Sequence, residues 1–169
     1  MRPFGAERSK QGRDGGDGGG VSVVRIWPAA DEGLARSLLA VQHAAYAVEA
    51  ALIGDDRIPP LHETLADVRA VPLHWLGARS GPRLVGAIGW TEDDTTVGID
   101  RLVVDPAAHR RGIGRALVGA VLSHAGNRRV VVATGRDNRP ARQLYESLGF
   151  GSTGDEEVLP RLWVTHYAR

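Results

Sequence analysis

The sequence predicts a mixed α/β domain, a mostly antiparallel sheet flanked by helices in the order β-α-α-β-β-β-α-β-α-β-β. Three observations predict it. "HWLGAR", "RLVGAIGW" and "VGIDRLVV" are strand-like runs separated only by the turns "SGP" and "EDD", which reads as an antiparallel meander. From Gly112 onward helical and strand-like patterns alternate instead, so both kinds of connection feed one sheet. A length of 169 residues with 43% hydrophobic content suits one domain able to bury well over half of its unfolded surface.

The elements follow in order. "VSVVRI", Val21 to Ile26, alternates and is rich in β-branched residues, a first strand. Asp31 is a fitting N-cap for a long helix with Leu34, Leu38, Val41 and Ala45 at helical spacing, closed by Gly54. "IPP" breaks the pattern and "LHETLADVRA" resumes it as a short second helix. After the meander, Ile113, Leu117, Val121 and Leu122 mark one face of a third helix that stops near Gly126 and Asn127, and "RVVVAT" is a short buried strand. A fourth helix has Asn138 as N-cap, Pro140 in its first turn and Gly149 at its stop. Phe150 begins the next strand and "RLWVTHYA" is the last. As a C-terminal edge, "LWVTHYA" is the expected place for pairing between copies in a homodimer. Residues 1–20, ending "GRDGGDGGG", hold little that builds a core, and such dense glycine is costly to order, so a flexible tail is expected ahead of a domain over 21–169.

Composition narrows the function. A formal net charge of +1 gives no general attraction to nucleic acid or to an anionic membrane. Without cysteine there is no disulfide framework, thiol nucleophile or thiolate metal site, and no early apolar run has signal-peptide or spanning length, so a cytoplasmic protein is expected. "HETLA" has Ala66 where a zinc-binding helix needs its second histidine, and no metal is expected. His43, His74, His124 and His166 are scattered and read as ordinary residues.

"HRRGIGRAL", His109 to Leu117, carries the chemistry. A strand ending at Val104 and a helix beginning near Gly112 leave the intervening amides at a helix N-terminus, where unpaired N–H groups and the dipole favour an anion. Gly112 and Gly114 lack the Cβ atoms that would hold a phosphate off, and Arg110, Arg111 and Arg115 add positive charge, which suits pyrophosphate. Arg115 and Ala116 stand where a Walker loop needs Lys and Ser or Thr. The dinucleotide pattern wants a glycine at Leu117 and belongs to the first strand of a parallel unit. A nucleic-acid patch would need aromatics or a recognition helix nearby.

"LVVDPAAHRRGIGRALV" followed by "NRPARQLYESLGF" resembles the two signature segments of the GNAT superfamily of N-acetyltransferases, and the likeness extends over about residues 21 to 169. It implies an enzyme that passes the acetyl group of acetyl-CoA directly to a primary amine in a ternary complex, with acetyl-CoA as co-substrate. The alternative is a GNAT-fold protein that binds acyl-CoA as a sensor. The resemblance places the pyrophosphate on His109, Arg110, Arg111, Gly112, Ile113, Gly114 and Arg115, with His109 departing from the usual glutamine or arginine. Main-chain groups of Leu102, Val103 and Val104 are implied to pair with the pantetheine arm, with an N–H near Val103 polarising the thioester carbonyl.

Tyr145 matches the family tyrosine that protonates the departing thiolate; its other reading is a ring packed beside Leu144 and Leu148. Asn138 is an implied CoA contact as well as a cap. Asp100, beside the thioester on its strand, is the candidate base for the amine, against a strand-edge ion pair with Arg101. Glu49, with Tyr46 one turn away, borders the implied acceptor groove; the competing reading puts Gln42 and Glu49 on one solvated helix face. The acceptor, a small molecule or a peptide amine, is not specified.

Overall fold

The computed structural model describes residues 20–169. The tail expected over 1–20 lies, Gly20 apart, outside them. The chain runs β1 (Val21–Arg25), α1 (Glu32–Ile53), α2 (Leu65–Ala70), β2 (His74–Ser80), β3 (Arg83–Glu92), β4 (Thr96–Val104), α3 (Ile113–Ala125), β5 (Arg129–Gly135), α4 (Arg139–Ser147), β6 (Gly151–Leu159) and β7 (Leu162–Ala168). One seven-stranded sheet forms in the order β1-β2-β3-β4-β5-β7-β6. Every neighbouring pair is antiparallel except β4 with β5. No helix among the described residues is long and apolar enough to cross a membrane.

The caps act where the side chains suggest. Asp31 accepts the Leu34 N–H at 3.0 Å, and Gly54 closes α1 in the left-handed region at φ 68°. The second helix is shorter than its pattern. Pro59 and Pro60 support only a 3₁₀ turn over Pro59–His62, and the α-helix starts afresh where Thr64 and Asp67 form a reciprocal capping box. Asn138 accepts the Ala141 N–H at 3.2 Å and starts α4.

The sheet is covered on both faces. Ile113, Leu117, Val118 and Val121 of α3 pack with Ile88, Trp90, Val97 and Ile99 on one side. Leu38 and Val41 of α1 and Val68 of α2 pack with Trp75, Leu84, Ala87 and Val103 on the other. Fully burying each such aliphatic side chain contributes roughly 1.5–3 kcal/mol.

One expectation is corrected. β7 is interior, between β5 and β6, so "LWVTHYA" offers no free edge for a second copy. Thr165 and Tyr167 bury one face of β7 and Leu162 lines a cavity on the other, whereas β6, with Asp155, Glu156 and Glu157, is exposed along its whole length. The polar strand of the hairpin takes the edge.

Two irregularities shape the site. β4 and β5 pair only over Thr96–Ile99 with Arg129–Val132, then part. In the β3–β4 ladder Gly89 opposes Arg101 and Trp90 opposes Ile99, leaving Asp100 as the extra residue of a β-bulge.

Candidate functional site

Where β4 and β5 part, the second half of β4 has an unpaired edge. The Asp105 N–H donates to the Val85 carbonyl at 2.9 Å, so in this register Val103, two residues back, also turns its amide towards β3. Leu102 and Val104 therefore turn their N–H and C=O groups into the gap. An N–H open to the gap near Val103 thus comes from Leu102 or Val104, because amides alternate along a strand.

The loop beyond β4 is built for an anion. Asp105 accepts the Ala107 N–H at 2.9 Å and pairs with Arg83, which fixes the strand's exit. Arg110 at φ 63° and Gly112 at φ 72° are both left-handed, a backbone pattern that gathers successive N–H groups. Gly112 is also the N-cap of α3 and supplies no capping side chain, so the first amides of that helix stay open to a ligand. The two glycines differ in purpose. A Cβ on Gly112 would meet nothing within 4 Å, so glycine is needed there for its backbone angle; a Cβ on Gly114 would come 3.2 Å from Leu144 Cδ2, so glycine there lets α3 approach α4. Arg115 reaches across the same contact, its Nη2 donating to Ser147 Oγ at 2.7 Å. His109, Arg110 and Arg111 are exposed on the loop.

A cavity of about 640 Å³ runs from this loop, past Ile113, Gly114 and Leu144, to Val48 and Leu52 of α1. A second, of about 490 Å³, lies on the far side of the gap and includes Asp100 and Tyr145. Tyr46, Glu49, Leu102, Asn138 and Ala141 belong to the walls of both, so the cavities meet there.

Ionisable groups gather at the junction. Tyr145 is 3% exposed, with its ring edge-on to Phe150 at 5.5 Å, so it packs and lines the cavity together. Burial, and then the charge of Glu49, push its phenol pKa up; the same two causes act on Tyr46. Burial raises the Glu49 carboxyl, partly offset by hydrogen bonds from the Asn138 side chain and the Gly135 N–H. The solvated-face reading of α1 is overturned. Gln42 is completely buried and Glu49 faces Asn138, because the face they share at seven-residue spacing is turned inward.

The sequence matches the model of the Acetyltransferase (GNAT) family over residues 35–150. The chain belongs to the GNAT acetyltransferase family. Its relatives include YqkA of Bacillus subtilis, 40% identical over 118 residues, a match covering 69% of this chain and 34% of YqkA. The N-alpha-acetyltransferase RimI of Mycobacterium tuberculosis is 39% identical over 108 residues, covering 60% of this chain and 66% of RimI. The chain thus matches about a third of the length of one relative and just under two thirds of the other. The PaiA N-acetyltransferase of Thermoplasma acidophilum, solved in complex with coenzyme A, aligns with a TM-score of 0.66 at 14% identity, covering 87% of this chain and 98% of that one. Such a likeness shows the shared fold.

This GNAT domain also holds a buried ionic cluster of which the sequence suggests only the Asp100–Arg101 pair. Arg101, 6% exposed, donates to both Glu63 oxygens at 2.5 and 2.8 Å, to Gln42 Oε1 at 3.2 Å and to Asp100 Oδ2 at 3.0 Å, and lies over the Trp75 ring. The Gln42 amide nitrogen donates in turn to Glu63 and to the Pro60 carbonyl, each at 2.8 Å. The cluster fastens the segment between α1 and α2 to the bulge in β4. Asp100 thus forms the ion pair with Arg101 of its competing reading, and it also lines the cavity. The missed signal is Arg101 itself, a charge inside an apolar strand that needs a partner wherever it is buried.

Proposed function

We propose that this chain is an N-acetyltransferase that binds acetyl-CoA and a primary amine together and passes the acetyl group directly between them. The observation that carries this reading is the meeting of two cavities at Glu49 and Asn138, beside Tyr145 and the open edge of β4. One cavity suits a pyrophosphate carrier, and the other suits an acceptor.

The residues present fit acetyl-CoA. The left-handed loop and the uncapped start of α3 offer N–H groups to a pyrophosphate, and Arg110, Arg111 and Arg115 supply charge around it. The Leu102 and Val104 edge groups would pair with the amide-bearing arm as a further strand does, which supports the reading of PaiA's coenzyme A as a guide to this chain. Bound acetyl-CoA supplies an acetyl group activated as a thioester.

The remaining tasks are proton movements and orientation. An ammonium entering the acceptor cavity meets Glu49 and Asp100. Asp100 is 49% exposed and shares its carboxylate with Arg101, so we assign it the attraction and orientation of the cation. Glu49, whose proton affinity burial raises, takes the proton from the amine nitrogen. Tyr145, kept protonated by burial, donates its phenolic proton to the sulfur as the C–S bond breaks, and its oxygen takes back the second proton that nitrogen sheds on becoming an amide. With no cysteine in the chain, direct transfer needs no thiol carrier. The same reading puts the enzyme in the cytoplasm with its co-substrate.

The test is CoA release from acetyl-CoA, read with a thiol-reactive dye across amines, amino acids, aminoglycosides and short peptides; a cysteine-free protein adds no background. Acceptor-dependent release, lost in Tyr145→Phe, supports the enzyme. Tight acetyl-CoA binding with no release on any acceptor moves the assignment to an acyl-CoA sensor.

A further inference from the structure

The walls of the acceptor cavity divide by chemistry. One part of its wall carries Glu49, half-buried, and Asp100, 49% exposed, the two acids among the described residues that line it. Another part is aliphatic, with Ile58 and Pro59 after α1 and Val158 and Leu159 of β6, the last two 44% and 42% exposed. Arg57 also lines this wall. Its guanidinium is held by Asp55, which lies outside the lining, and it donates to the Pro160 carbonyl at 2.9 Å, tying the segment after α1 to the β6–β7 turn.

These features select an acceptor. One ammonium is satisfied by Glu49 and by Asp100, whose charge Arg101 already shares. A second, a few bonds away, would sit against aliphatic side chains that offer it no hydrogen bond. An apolar body in the same place replaces water on Ile58, Val158 and Leu159. Resting on the acetyltransferase reading above, we infer that the acceptor is a monoamine carried on an apolar body, either a free alkyl or arylalkyl amine or a polypeptide N-terminus with an apolar first residue.

The experiment measures kcat/KM by CoA release for phenethylamine, hexylamine and the tripeptide Leu-Gly-Gly against spermidine and kanamycin. The same amines are titrated calorimetrically into the protein saturated with CoA, where no turnover occurs. The expected result is that phenethylamine and hexylamine, or Leu-Gly-Gly, exceed spermidine and kanamycin by about tenfold or more, the size of effect one well-placed pocket contact supplies. The two arms separate a free amine from a chain N-terminus. Equal or better turnover of the polycations overturns the inference while leaving the acetyltransferase reading intact. Silent turnover with preferential binding of phenethylamine to the CoA complex keeps the site and removes the reaction; neither turnover nor binding overturns both. Val158→Glu, at an exposed position on the cavity wall, should lower phenethylamine turnover and raise that of spermidine with CoA affinity unchanged, whereas Val158→Leu keeps the original order. An unchanged preference in Val158→Glu also overturns the inference.

Discussion

Glu63→Ala tests whether the Arg101 cluster holds the fold and the site together. Arg101 is 6% exposed and Glu63 18%, and the substitution removes the two guanidinium hydrogen bonds at 2.5 and 2.8 Å together with the one from the Gln42 amide at 2.8 Å. Burial works against the Arg101 charge, and Glu63 with Asp100 more than restores it, so the loss of Glu63 leaves a charge only partly compensated. Breaking one partner of a buried pair costs about 3–5 kcal/mol. Asp100 and Gln42 stay within reach of the guanidinium, which puts the expected loss at the lower end, about 3 kcal/mol. For a domain of this length that is a fall in melting temperature of roughly 6–12 °C. Thermal and urea unfolding followed by circular dichroism measure it. The exposed pair Glu32–Arg36, 52% and 66% open to solvent, is the control: Glu32→Ala should leave the melting temperature almost unchanged. A Glu63→Ala melting temperature no lower than that of Glu32→Ala would refute the reasoning, since the pair would then be no better sheltered than one in water.

Three further predictions concern the site. Tyr145→Phe keeps the ring contacts with Phe150 and Tyr167, so melting is unchanged while turnover falls by about 10²–10⁴, the usual worth of a positioned general acid; rapid-quench single turnovers check it. The acidic limb of the kcat/KM profile should lie above the ordinary glutamate range, because burial raises Glu49, and it should disappear in Glu49→Gln and persist in Asp100→Asn; the reverse pattern returns the base to Asp100. A raised carboxyl binds more protons folded than unfolded, so its contribution to stability declines as pH rises from the unfolded glutamate value through the folded one. Denaturant unfolding of Glu49→Gln should lack that decline. Gly114→Val forces a branched side chain against Leu144, where even a Cβ comes within 3.2 Å, and should weaken acetyl-CoA binding by spreading α3 from α4; calorimetry reads it, with Gly119→Ala, which meets nothing within 4 Å, as the neutral helical control.

Where local chemistry decides an element, the sequence is a good guide. Asp31 and Asn138 cap the helices that follow them because capping needs only a short polar side chain and the next three amides. The spatial order of strands is different. Nothing local says that β7 rather than β6 pairs with β5, and only the burial of Thr165 and Tyr167 against the exposed acids of β6 decides it. Polarity also misleads where polar groups are satisfied inside. Gln42 looks solvated by type, yet it is fully buried because Arg101, Glu63 and the Pro60 carbonyl use its amide.

The largest gap between pattern and structure is a single residue in β4. Read with period two, Val97, Ile99, Arg101 and Val103 occupy one face, and an arginine among three aliphatics looks like an isolated misfit. Val97 and Ile99 in fact pack on the α3 side, while Val103 packs on the α1 side. The extra residue at Asp100 exchanges the faces halfway along the strand, a switch that hydrophobic periodicity cannot register because apolar residues occur on both sides of it. Three features of the site depend on that exchange. It turns Arg101 towards Gln42 and Glu63, presents Asp100 to the second cavity, and leaves Leu102 and Val104 facing the gap where β4 parts from β5. The bulge therefore couples the stability of the segment between α1 and α2 to the geometry of that gap, and this is why loss of Glu63 is expected to disturb both.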